Sequence, residues 1–183
     1  MTATTPILAA PPAGTVVPVP VPVPRRGPAR MGPRLRALLD LCPPGGPVAD
    51  VGSGHGRLAL ELKRRAPHLE VYATELRAGP AGELRRLLSD RSGVRILEGE
   101  GLVPLAGLGC RGAVIAGMGG NTLARILERD RELARQLDWI CLQPAQRRGR
   151  LEDWLQAERW YPCEQRQVVE RGHAYQTYLV APR

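Results

Sequence analysis

The sequence contains no phenylalanine, and tryptophan and tyrosine supply its whole aromatic content of 4%. This scarcity limits any surface on which nucleic-acid bases could stack to a few side chains. There is also no run of about 18 apolar residues, which a membrane-spanning helix would need. We therefore expect no membrane contact. The 183 residues, 43% of them apolar, suffice for one globular domain with its own core.

Cysteine is scarce and widely spaced, so no C-x-x-C pair occurs. The four cysteines are Cys42, Cys110, Cys141 and Cys163. This spacing gives no support for a zinc site, and we expect no bound metal. We recognise no secretory signal, so the reducing cytoplasm is the expected compartment. A monomer is the expected state.

Residues 1–30 differ in composition from the rest of the chain. They contain eight of the 18 prolines, including an alternating Pro-Val run. Such a run can build neither a helix nor a sheet interior, so it predicts a Pro-rich, polyproline-like or disordered tail. Two interpretations stay open. The tail could meet RNA through Arg25, Arg26 and Arg30, or Met31 could be the true start of translation.

The chain is basic, with a formal net charge of +8, of which +5 remains on residues 31–183. A basic protein suits a polyanionic partner such as RNA, because neutralising phosphates releases counterions. A solvated, arginine-rich surface would give the same balance. Charge alone leaves both interpretations open.

From Met31 onward, short apolar strands alternate with helical segments. The predicted strands are 47–51, 69–74, 94–97, 113–116 and 139–142, followed by a hairpin of 165–169 and 174–180. The predicted helices are 34–41, 57–66, 81–88, 122–137 and 148–158, with Asn121 as the N-cap of the fourth. Alternation of this kind predicts an α/β fold with helices on both faces of a parallel sheet. With the closing hairpin it matches the Rossmann-like class I methyltransferases, whose seven-stranded, mostly parallel sheet has one antiparallel late strand.

Residues 50–56 read Asp-Val-Gly-Ser-Gly-His-Gly and follow the first predicted strand. Ligands of open α/β sheets bind beyond the carboxyl ends of the strands, where glycines let the backbone turn tightly and approach the ligand. A dinucleotide fingerprint would read G-x-G-x-x-G, whereas the spacing here is G-x-G-x-G with an acid two residues before it. This form favours S-adenosyl-L-methionine, whose cationic amino-acid end Asp50 could meet.

Acidic residues follow the next two strands as well. Glu75, with Leu76 after it, ends the second strand and could accept both ribose hydroxyls of adenosine. Glu100, in the run Glu98–Gly101, could reach the adenine amino group. Acids after three successive strands, in register with the glycine turn, indicate a cofactor site for S-adenosyl-L-methionine. Its predicted residues are Asp50, Gly52, Ser53, Gly54, Glu75, Leu76, Glu100, Gly101, Ala116 and Gly117.

The segment after the fourth strand, Ile115-Ala116-Gly117-Met118-Gly119-Gly120, resembles the TrmK family of bacterial tRNA (adenine-N1)-methyltransferases acting on adenosine 22. Other features occur in the family's order: Arg34-Leu35, Gly79-Pro80, Leu142-Gln143-Pro144, Trp154-Leu155 and Tyr175 in the closing hairpin. The resemblance runs from about Met31 to Pro182. It implies a tRNA substrate, with His55, Gly117, Met118 and Gly119 on the catalytic side.

The sequence departs from the family pattern in three places. Gly54 stands where the family usually has an Asp before the loop histidine, and Glu100 replaces the Asp of a G-D-G motif. Family members also usually continue into a C-terminal helical hairpin that is thought to grip tRNA. His55 could orient the substrate or simply cap the helix turn, and the glycines after strand four could make room for a base or serve packing alone.

For RNA contact, the cluster Arg147, Arg148 and Arg150 is the preferred candidate, because it follows strand five on the rim of the site. Three alternatives to a tRNA adenine enzyme remain. The first is a methyltransferase of another RNA or of a small molecule. The second is a non-catalytic RNA-binding protein that retains the fold. A dinucleotide-dependent oxidoreductase comes last, because the glycine spacing is wrong.

Overall fold

The computed structural model describes residues 31–88 and 92–182. The predicted Pro-rich tail of residues 1–30, with Arg25, Arg26 and Arg30, lies outside this range. Within it, no helix combines the length and apolar character needed to cross a membrane.

Among residues 31–88 and 92–182, seven strands form one sheet in the order β3-β2-β1-β4-β5-β7-β6. The strands are β1 (Val48–Val51), β2 (Val71–Glu75), β3 (Val94–Glu98), β4 (Gly112–Met118), β5 (Trp139–Pro144), β6 (Pro162–Glu170) and β7 (His173–Val180). The first five strands are parallel to one another, and β7 runs antiparallel to both β5 and β6. The predicted fold class, including the single antiparallel late strand, is confirmed.

In the described part of the chain, six α-helices cover the two faces of the sheet. They are α1 (Pro33–Leu39), α2 (Arg57–Arg65), α3 (Ala78–Leu87), α4 (Gly120–Arg129), α5 (Arg131–Ala134) and α6 (Gly149–Ala157). Leucines of α1, α2 and α3 pack on one face, and those of α4 and α6 pack with Trp160 on the other. Alternate residues of a strand point to opposite faces of the sheet. Val48 therefore packs on the α1–α3 side, and Ala49 packs on the side of α4 and α6. The central strands β1, β2 and β5 are therefore buried on both sides, as their near-continuous apolar residues require, whereas β6 at the edge is largely exposed.

The helix predicted over 122–137 is wrong, because two helices, α4 and α5, occupy this region. The break lies at Asp130, which ends α4 and begins α5 with φ −99° and ψ 28°. Its carboxylate accepts a hydrogen bond from the backbone N–H of Leu102, 2.8 Å away, and pairs with Arg129. The predicted N-cap, Asn121, is also wrong, since α4 is capped by Gly119 and Asn121 lies in its first turn.

Candidate functional site

The carboxyl ends of β1, β2 and β4 border two cavities that share Gly52. The larger cavity, of about 360 Å³, is lined by Arg34, Leu35, Asp50, Gly52, Ser53, Gly54, His55, Arg57, Leu58, Ala116 and Gly117. The smaller one, of about 130 Å³, is lined by Val51, Gly52, Thr74, Glu75, Leu76, Gly99, Glu100, Gly101, Met118, Thr122, Arg125 and Ile126. We call them the Asp50 cavity and the Glu75 cavity. All ten predicted cofactor-binding residues line one or both of them.

Asp50 is the buried acid of the glycine turn, and only 4% of its surface is exposed. Its Oδ2 accepts a hydrogen bond from the Ser53 hydroxyl at 2.5 Å and another from the backbone N–H of Ala59 at 3.2 Å. Burial raises the pKa of this carboxyl to about 6, although both hydrogen bonds oppose the rise. Asp50 therefore fixes the turn against α2. It also gives the Asp50 cavity a carboxyl group that gains a proton at a higher pH than an exposed aspartate.

Glu75 is held in place by the glycine turn itself. The backbone N–H of Gly54 donates to Glu75 Oε1 at 2.5 Å, which joins the ends of β1 and β2. Gly54 has φ +59°, and the space beside its Cα is open. The tight turn thus orients one oxygen of the carboxylate from β2.

The loop after β3 is anchored from α4. Asp130 accepts from the N–H of Leu102, and a Cβ on Gly101 would collide with the Asp130 carboxylate. Glu100 forms an ion pair with Arg129. The sequence analysis predicted that the Glu100 carboxylate could bind the adenine amino group. In the structure this carboxylate is also the partner of the Arg129 guanidinium.

A β-bulge marks the end of β4. Ala116 pairs with Gln143 and Met118 with Pro144, so Gly117 is the extra residue between them. Gly117 has φ +77°, a left-handed conformation that glycine adopts without steric cost. The bulge turns the Gly117 backbone into the Asp50 cavity, while Met118 points into the Glu75 cavity.

The remaining predicted site residues also lie at this edge of the sheet. His55 is exposed and lines the Asp50 cavity, and Gly119 caps α4 immediately after the bulge. The N–H of Gly120 donates to the carbonyl of Gln146, and the backbone of Arg147 lies against Gly120. This contact places the predicted RNA-binding loop beside the bulge. Arg148 and Arg150 pair with Glu152 and Glu128, whereas no carboxylate of the described residues pairs with Arg147.

Sequence reasoning missed the lining roles of Arg57 and Arg125, one in each cavity. Arg57 directly follows the glycine turn, and Arg125 lies in the second turn of the helix that follows the bulge. These positions were the available signal. Among residues 31–88 and 92–182, no group of three or more His, Cys, Asp or Glu side chains could hold a metal ion.

Comparison with known proteins gives consistent matches. A family model described as a methyltransferase domain matches residues 31–178. The tRNA (adenine(22)-N(1))-methyltransferase of Bacillus subtilis is 26% identical over 154 residues, which are 82% of this chain. The chain spans 64% of the length of that enzyme and 59% of a curated Mycoplasma pneumoniae relative.

Solved structures are similar over most of the chain. The crystal structure of the Bacillus subtilis M1A22 tRNA methyltransferase TrmK superposes with a TM-score of 0.76 at 25% identity, covering 84% of this chain and 67% of that one. A Streptococcus pneumoniae protein in complex with S-adenosyl-L-methionine gives a TM-score of 0.75 at 27% identity, covering 81% and 72%.

Proposed function

The chain belongs to the methyltransferase domain family, and from that premise we propose that it transfers a methyl group from S-adenosyl-L-methionine to N1 of an adenine in tRNA, at the position equivalent to adenosine 22. The observation that carries the proposal is the pair of cavities meeting at Gly52, with Asp50 on one side and Glu75 on the other. The Bacillus subtilis relative, which modifies adenine 22, supports the choice of substrate. Such a substrate also favours the cytoplasm as the compartment.

The residues present fit this cofactor. A carboxyl at Asp50 suits the cationic amino-acid end, and Glu75 offers the acceptor oxygens that ribose hydroxyls need. A side chain on Gly52 would collide with the Met118 methyl group, so glycine leaves room for Met118 at the junction of the two cavities. Leu76, 53% exposed, supplies an apolar surface in the Glu75 cavity. When bound, S-adenosyl-L-methionine supplies an electrophilic methyl group.

Adenine N1 carries its own lone pair, so the acceptor needs no general base before it attacks. The protein's task is to hold the base in line with the methyl group, since proximity and alignment lower the barrier. N1 lies on the Watson–Crick edge, and a paired or stacked adenine must first leave its helix. The bulged Gly117 lets a base approach the backbone closely, and His55 on the same cavity is the side chain we assign to orienting it.

A group of unpaired arginines near the cavities supports an RNA partner on this side of the molecule. Arg65, Arg95 and Arg111, near the amino ends of the strands, pair with Asp40, Glu70 and Asp138. Around the cavities, no carboxylate of the described residues lies within ion-pair distance of four arginines. These are Arg57, Arg77, Arg125 and Arg147. Unpaired cations beside the site suit phosphates, because each contact releases counterions.

The test is incubation of the purified protein with an unmodified tRNA transcript and methyl-labelled S-adenosyl-L-methionine. We expect 1-methyladenosine at the equivalent of position 22, mapped by nuclease digestion and mass spectrometry. A transcript with guanine at that position is the matched control and should remain unmodified. Cofactor binding without transfer to any tRNA would contradict the proposal and favour a non-catalytic RNA-binding protein. Tight binding of NAD in place of S-adenosyl-L-methionine would refute the cofactor assignment.

A further inference from the structure

Arg34 lies on the wall of the Asp50 cavity and is fixed by three elements distant in sequence. Its Nη1 donates to Oε1 of the buried Gln143 on β5 at 2.5 Å. Its guanidinium lies 5.3 Å from the ring centroid of Tyr175 on β7. Its Nε is 3.4 Å from a carboxylate oxygen of Glu170 on β6. These contacts therefore hold the Arg34 side chain in one conformation, whereas an arginine without them would sample many rotamers.

The position of this guanidinium relative to the bulge is specific. A Cβ built on Gly117 would lie 3.8 Å from Arg34 Nη1. Gln143 pairs with Ala116 in the sheet, next to the bulge, and so brings Arg34 to the same point. A base resting against the Gly117 backbone would consequently touch the guanidinium.

The positive charge of Arg34 is offset by the neighbouring Glu170 carboxylate. This affects the methyl transfer proposed for the cavity. When the adenine N1 lone pair forms the new C–N bond, the electron pair of the broken C–S bond stays on sulfur and the adenine ring becomes cationic. A bare guanidinium beside that ring would oppose the change. Glu170, whose side chain is 22% exposed, lies beside Arg34 and offsets its charge.

We propose that the guanidinium of Arg34 is the surface on which the acceptor base lies, with Gln143 and Tyr175 as positioning residues. This inference rests on the proposed function and names a base-contacting residue for it. Arginine planes stack on unpaired bases in RNA recognition, and the contact requires a flat group as well as a charge. Fixing the plane in advance lowers the entropic cost of ordering it when the base arrives.

The first experiment measures base binding without catalysis. With the cofactor site saturated by S-adenosylhomocysteine, adenosine 5′-monophosphate is titrated and its Kd obtained by saturation-transfer NMR. We expect Arg34→Ala to weaken binding at least tenfold and Arg34→Lys to weaken it nearly as much, because an ammonium has no planar face. Arg36→Ala is the matched control, since Arg36 lies on the same helix, is exposed and donates to the Met31 carbonyl; it should stay within twofold.

Three results would overturn the inference: no nucleotide binding by the wild-type protein, an Arg34→Ala affinity within twofold of wild type, or full affinity in Arg34→Lys. Full affinity in Arg34→Lys would mean that residue 34 binds the nucleotide through its charge alone, as a contact to the phosphate group would.

The second experiment uses transfer kinetics on tRNA. We expect Arg34→Ala to lower kcat/KM at least a hundredfold and Gln143→Leu about tenfold, with the affinity for S-adenosylhomocysteine unchanged and both variants folded at the assay temperature. A fall explained by lost cofactor affinity or lost stability would contradict the assignment. If the wild-type protein modifies no tRNA, the proposed function fails, while the nucleotide titration still decides the role of Arg34.

Discussion

The terminal methyl group of Met118 lies directly over Gly52, at the junction of the Asp50 and Glu75 cavities. Gly52 belongs to the turn after β1 and Met118 to the end of β4, two neighbouring strands. Methionine is flexible and polarisable, so its tip can move at little cost. A cofactor that reaches from Glu75 to Asp50 has to pass this methyl group.

We predict that cofactor binding moves the Met118 methyl group. The sequence has three methionines, so a sample labelled with ¹³C at the methionine methyl groups gives a simple NMR spectrum. The Met118 signal, assigned with Met118→Leu, should shift strongly on titration with S-adenosylhomocysteine. Met31 packs against the α1–α3 side of the core and serves as an internal control. A stationary Met118 signal at saturation would exclude a cofactor path across Gly52.

The raised pKa of Asp50 predicts how the free energy of unfolding changes with pH. Its pKa is raised by burial from 3.8 to about 6 in the folded protein, so the folded state binds the proton more tightly than the unfolded state. The resulting stabilisation is present below pH 4 and is lost as the pH rises through about 6. The change in the free energy of unfolding attributable to this group is about 3 kcal/mol. Urea unfolding of the wild type and of Asp50→Asn should differ by this pH-dependent component.

The same carboxyl should control cofactor affinity in the opposite direction. Below pH about 6 it becomes neutral and attracts an ammonium group less, so Kd for S-adenosyl-L-methionine should rise up to tenfold per pH unit. Above pH about 8 the cofactor's own amino group loses its proton, with the same effect. Calorimetry across this range should therefore give a bell-shaped affinity, and Asp50→Asn should flatten its acid limb. An unchanged acid limb in the variant would assign the dependence to another group.

Gly54 offers a gain-of-function test. Aspartate and asparagine tolerate its left-handed conformation better than other side chains, and the space there is open. We expect Gly54→Asp to fold with a loss of about 1 kcal/mol and to raise kcat severalfold, because a carboxylate can balance the positive charge that develops on the adenine ring. Gly54→Asn has the same backbone requirement without the charge and should not raise kcat. Equal rates for both variants would show that the added charge does not assist transfer.

Asp130 should affect the adenosine side of the site from a distance. It is 5% exposed and accepts from the Leu102 N–H, so Asp130→Ala leaves this buried N–H without its acceptor and leaves Arg129 paired with Glu100 alone. The expected cost is about 1–3 kcal/mol of stability. The loop of residues 99–102 should loosen, weakening S-adenosylhomocysteine binding several-fold. Asp153→Ala, at an exposed position of α6, is the control and should change neither quantity.

Arg125 should contribute to RNA affinity through a phosphate. We expect Arg125→Ala to weaken tRNA binding and to reduce the slope of log K against log salt by about 1. Arg111→Ala removes the same charge from an arginine paired with Asp138 near the opposite edge of the sheet and should leave the slope unchanged. Fluorescence anisotropy at several salt concentrations measures both. Equal slopes for the two variants would place the RNA elsewhere.

Much of the fold follows from local sequence patterns. The five parallel strands and the closing hairpin were predicted within a few residues of their observed bounds, because short apolar runs separated by helices leave few arrangements of a sheet. The resemblance to TrmK, based on the Ala-Gly-Met-Gly-Gly turn and Leu-Gln-Pro, is confirmed by the relatives. The predicted roles of individual site residues remain predictions.

What could not be predicted depends on tertiary contacts. The helix break at Asp130 arises because its carboxylate binds Leu102, 28 residues away, and no local pattern reveals that. The helix α3 begins at Ala78, before the predicted start at residue 81, because Pro80 lies in the first turn, where its missing N–H has no helical partner to lose. The Arg34–Gln143 contact spans 109 residues and likewise has no local signature.

The separation of Arg34 and Gln143 along the chain also determines the order in which the site residues are synthesised. Every residue lining the Glu75 cavity lies between Val51 and Ile126, whereas the setting of Arg34 needs Gln143, Glu170 and Tyr175 as well. All residues of the Glu75 cavity are therefore synthesised before Gln143, Glu170 and Tyr175, which fix the wall beside Gly117. On the proposed function, transfer to an acceptor base would thus require the closing hairpin in addition to the cofactor residues.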